Sequence, residues 1–70
     1  METNKGYGAT IERGEIIGAE DTGYLIASFS RHGLTTPPLA AINQSTYAVG
    51  DKVYFFMFDD GKGAILMKFE

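Results

Sequence analysis

Residues 49–69 read VGDKVYFFMFDDGKGAILMKF, and within them residues 53–58, VYFFMF, are apolar without a break. A strand with one wet face alternates apolar and polar side chains; here both faces are oily. Alternation puts Val53, Phe55 and Met57 on one side and Tyr54, Phe56 and Phe58 on the other, and a small sheet can fold only one set into its core. The Asp-Gly step in residues 59–63, DDGKG, is a strong hairpin signal. It joins a strand over residues 52–58 to a closing strand over residues 64–69. In the closing strand Lys68 must face water or a rim, so Ala64 and Leu66 share its side while Ile65, Met67 and Phe69 point inward.

Turn signals divide the rest of the chain into equally short pieces. Residues 9–17 carry Thr, two Ile and alternating charge and read as a strand, with Gly14 inside it suggesting a bulge or bend. Residues 18–23, GAEDTG, form a polar turn, and residues 24–29, YLIASF, are good strand formers that complete a hairpin. Pro37 and Pro38 keep the segment before them extended, and residues 39–42 add a short edge strand. Residues 43–46 have room for one helical turn at most. No stretch of ten or more residues holds a helical period. The expected fold is therefore all-β, with little or no helix: a small five-stranded barrel, OB-like, with an SH3-like barrel as the alternative. Residues 1–8 are expected to be a flexible N-terminal arm and residues 9–70 the single barrel domain.

The chain has 70 residues, and a domain of that size buries only about 60% of the surface its unfolded chain exposes. Small domains commonly gain support from disulfides, a metal or a partner subunit. There is no Cys and a single His, which excludes disulfides, thiolate metal sites and a histidine zinc cluster. Oligomerisation remains. The outer set Tyr54, Phe56 and Phe58 together with Leu66 is the expected interface. Covering these residues would be worth on the order of 10 kcal/mol at most, and left bare they form an aggregation-prone strand. A second copy of the chain is the simplest cover; the alternative is the N-terminal arm, with Tyr7, folding over the same face.

Nothing in the sequence assembles a catalytic site. His32 lies between Arg31 and Gly33 in a loop with no partner triad. Asp59 and Asp60, with Asp51 nearby, and the pair Glu20 and Asp21 read as turn acids rather than calcium ligands, because Asp-Gly supplies the backbone a tight turn needs. No phosphate loop is present, and Ser28, Ser30 and Ser45 lack a nucleophile-elbow context. No cofactor or metal is expected, and the chain is read as a non-enzyme. No apolar run reaches the ~18–20 residues of a membrane span, and residues 1–10 carry no secretory h-region, so cytoplasmic synthesis is the expectation.

The lead-in turn and the closing strand also carry a family likeness. Tyr47, Val49, Gly50, Asp51 and Val53 match a y-x-V-G-D-x-V pattern, and Gly63, Ile65 and Leu66 match a G-x-I-L pattern after an acidic-Gly turn. In this the chain resembles the small OB-type barrel of phage baseplate assembly protein V and tail-spike proteins, with their type VI secretion spike relatives. The likeness runs from residue 9 to residue 69. Met67 stands where the family often has Gly, and the needle and His-x-His tip of full spike proteins have no counterpart here. The resemblance implies a structural, non-catalytic module of a phage or prophage tail or baseplate. It also implies a trimer, other tail or baseplate proteins as partners, and assembly into a phage-like particle.

The other reading of the aromatic strand is a binding module, using Tyr54, Phe56 and Phe58 as a stacking platform for single-stranded nucleic acid or as a groove for a peptide. Net charge is −3, and the six cations, Lys5, Arg13, Arg31, Lys52, Lys62 and Lys68, are scattered, which argues against phosphate recognition. The expected outcome of a fluorescence titration with oligo-dT at low salt is no saturable, salt-sensitive binding.

Overall fold

The computed structural model describes residues 10–69; the arm expected over residues 1–8, with Tyr7, lies outside them. The strands are β1 (Glu12–Glu20), β2 (Gly23–Ser28), β3 (Leu34–Thr35), β4 (Ala40–Ala41), β5 (Lys52–Met57) and β6 (Gly63–Lys68). A single 3-10 turn, Phe29–Arg31, is the only helical element among the described residues. The all-β expectation holds. The short β3, beside Ala27 and Ser28 of β2, adds a strand to the five expected.

The strands lie in the order β3-β2-β1-β5-β6-β4, antiparallel except for β4, which runs parallel to β6. The sheet does not close into a continuous barrel. One bridge crosses the gap: the Tyr24 amide donates to the Leu39 carbonyl at 2.8 Å and the Leu39 amide returns a bond to Tyr24 at 2.9 Å. Inside the curl lie Ile16, Ile26, Leu39, Val53, Phe55 and Ile65, all fully buried, with Tyr24, Tyr47 and Met57 packed against them. Val53 and Phe55 thus take the inner side, as alternation requires.

Two irregularities shape this core. β1 was expected to bend at Gly14; its register with β2 instead shifts between Ile16 and Gly18, leaving Ile17 as the extra residue, exposed to solvent. Gly14 serves close approach. It pairs with both Ser28 and Val53, and a Cβ there would sit 2.6 Å from Ile26 Cγ2 and 2.7 Å from the Ala27 carbonyl oxygen. In β6 the partners of Tyr54 and Phe55 are Met67 and Ile65, so Leu66 is a bulge. That extra residue reverses the alternation beyond it. Ile65 is buried as expected, but Met67, expected inside, is exposed beside Tyr54, and the Phe69 ring lies against the Tyr54 ring on the outer side. Lys68 ends at the rim, its Nζ 3.9 Å from Asp51 Oδ1.

The loops follow their local chemistry. β1 continues to Glu20, so the polar turn shortens to Asp21 and Thr22. The Gly50-Asp51 step is tied down on both sides: the Ala48 amide donates to Asp51 Oδ2 at 2.9 Å, and the Gly50 amide donates to the Ile16 carbonyl at 2.8 Å. Asp60 accepts the Lys62 amide at 2.9 Å, the work of a turn acid.

Among the described residues, one charged group lies inside. Glu12, opposite Phe55, is only 7% exposed. Arg31, reaching from the 3-10 turn, grips both its oxygens, Nε to Oε1 at 3.2 Å and Nη2 to Oε2 at 2.7 Å, and Ser28 Oγ donates to Oε1 at 2.8 Å. The Arg31 hydrogen bonds, helped by Ser28, hold the Glu12 carboxyl below its ordinary 4.5 despite burial. A depressed carboxyl pKa contributes stability that is fully present above about 4.5 and is lost as pH falls through the folded value. Glu12→Gln should therefore cost about 1–2 kcal/mol at neutral pH. In urea melts between pH 7 and 3 the gap to the parent should close once the pH drops below the ordinary carboxyl range.

Gly23 tests the bridge. Its φ is +152°, and a Cβ would meet the Leu39 backbone at 2.6–2.8 Å. Gly23→Ala is expected to destabilise the fold by about 1–3 kcal/mol and to speed hydrogen exchange at the Tyr24 and Leu39 amides. Gly18→Ala, whose Cβ would first meet Leu25 Cδ1 at 3.4 Å, should leave both unchanged.

Candidate interaction surface

The outer face of β1, β5 and β6 is built by the same alternation that fills the core. Arg13 stands opposite Tyr54, and Tyr54 opposite Met67, so these side chains share the outer side. Ile11, two residues before Arg13, extends the row. Ile11, Tyr54, Leu66 and Met67 line a wholly apolar groove of about 270 Å³. Its walls are wet: Ile11 is 63% and Met67 55% exposed, while Tyr54 and Leu66 are half-buried.

The four residues expected at an interface do not form one uniform strip. Tyr54 and Leu66 lie in the groove. Phe56 and Phe58 are half-buried and pack edge-to-face on each other, with ring centroids 5.5 Å apart. Phe58 falls just past the end of β5. Tyr54 is partly covered by the tilted Phe69 ring at 4.7 Å. The rings therefore shield one another within the chain, and the most exposed apolar atoms on this side belong to Ile11 and Met67. Ile11 was legible by counting back two residues from Arg13; Met67 was not, because its orientation depends on the Leu66 bulge.

The other polar residues singled out in the sequence lie apart from this groove. His32 is exposed in the left-handed region, φ 57°, closing the 3-10 turn. Asp59 and Asp60 are exposed at the β5–β6 turn, and Glu20 and Asp21 at the β1–β2 end. Among the described residues no three His, Cys, Asp or Glu side chains come together in a way that could hold a metal ion, and no helix is long and apolar enough to cross a membrane. Comparison of the chain with protein-family models, curated proteins and solved structures finds no match in any of the three.

The Tyr54–Phe69 pair should contribute about 0.5–1.5 kcal/mol beyond simple burial. Thermal unfolding of Tyr54→Leu, Phe69→Leu and the double variant is expected to show coupling of that size.

Proposed function

We propose that this chain is a non-catalytic assembly module: a small OB-like barrel that associates with copies of itself through the outer face of β1, β5 and β6. The observation that carries this is the apolar groove of Ile11, Tyr54, Leu66 and Met67, two of whose lining side chains, Ile11 and Met67, are strongly exposed. Large apolar side chains set side by side on a solvent-facing sheet are characteristic of protein contact surfaces. An oligomer also supplies the support that a disulfide-free chain of 70 residues otherwise lacks.

The strand path supports the OB-like form over the SH3-like one. Tracing β1, β2, the Tyr24–Leu39 bridge, β4, β6, β5 and back to β1 gives a Greek-key circuit whose one parallel contact is β4 with β6. That circuit, with the VGDKV lead-in and the GAIL closing strand, is what the likeness to phage baseplate and tail-spike barrels would require. On this reading the chain is a structural piece of a phage or prophage tail, made in the cytoplasm and built into a particle as a trimer beside other baseplate proteins.

Sedimentation velocity at micromolar concentration tests the proposal. A self-associated species is expected, with three copies for the tail reading. The variant Ile11→Lys/Met67→Lys should sediment as a monomer that keeps the parent circular dichroism, because both side chains are mostly in water within one chain, and should unfold at a lower midpoint, because the stability added by association is gone. A parent chain that is strictly monomeric overturns the reading.

A further inference from the structure

We draw no further inference here: the strongest candidate, the polar groove between the β1–β2 turn and β4 that Glu20, Asp21, Thr22, Tyr24, Gln44 and Ser45 help to line, carries nothing because its charged groups are two exposed turn carboxylates and every buried polar side-chain atom among the described residues already has a hydrogen-bond partner.

Discussion

β1 is hydrogen-bonded on both sides, and the rest of the molecule depends on how it manages that. Over Glu12–Glu15 it pairs with β5, and from Gly14 onward it pairs with β2, so it belongs to both halves of the curl. Where the two ladders overlap, the Phe55 ring and the Ile26 side chain press against Gly14, and any side chain there would collide with them. The absent Cβ lets β2 and β5 approach over one layer of side chains. Ile17, extruded by the register shift that follows, turns the strand toward its hairpin. Among the described residues, the sheet wraps around six fully buried apolar side chains.

Elements whose identity rests on short-range chemistry were legible in the sequence. The Asp-Gly turn, the Gly50-Asp51 lead-in and the VYFFMF run specify β5, β6 and the turn between them, and Val53 and Phe55 face inward because alternation in β5 is unbroken. Features that need knowledge of pairing were hidden. Leu66 carries no mark of a bulge; it is one only by virtue of how β6 pairs with β5. Gly14 announced an irregularity, but of two kinds a strand glycine can signal it serves close approach, which depends on Ile26 and Phe55 arriving from elsewhere in the chain. The candidate surface divides in the same way: Tyr54 and Leu66 follow from alternation, Met67 only from the bulge.

Glu12 shows a different limit. Its neighbours in sequence, Ile11 and Arg13, make it look like one more solvated charge on an alternating strand. Its parity with Gly14 and Ile16 nevertheless points it inside, where burial would be costly without a partner. Arg31 and Ser28 supply that partner from 19 and 16 residues away. The ion pair also anchors the 3-10 turn to the sheet, joining a loop with no fully buried residue of its own to the inner face of β1.

The Leu66 bulge has a consequence for how such a surface could change over time. Side-chain parity downstream of a bulge depends on a count of one residue. Were the ladder to run straight with every residue kept, Leu66 would stand opposite Tyr54 and Met67 opposite Val53, returning Met67 to the interior and carrying Lys68 outward, while deletion of Leu66 would leave Met67 beside Tyr54. Flattening the bulge would thus act as a toggle on the character of the exterior, letting a lineage trade a sticky side for a charged one with no change in chain length.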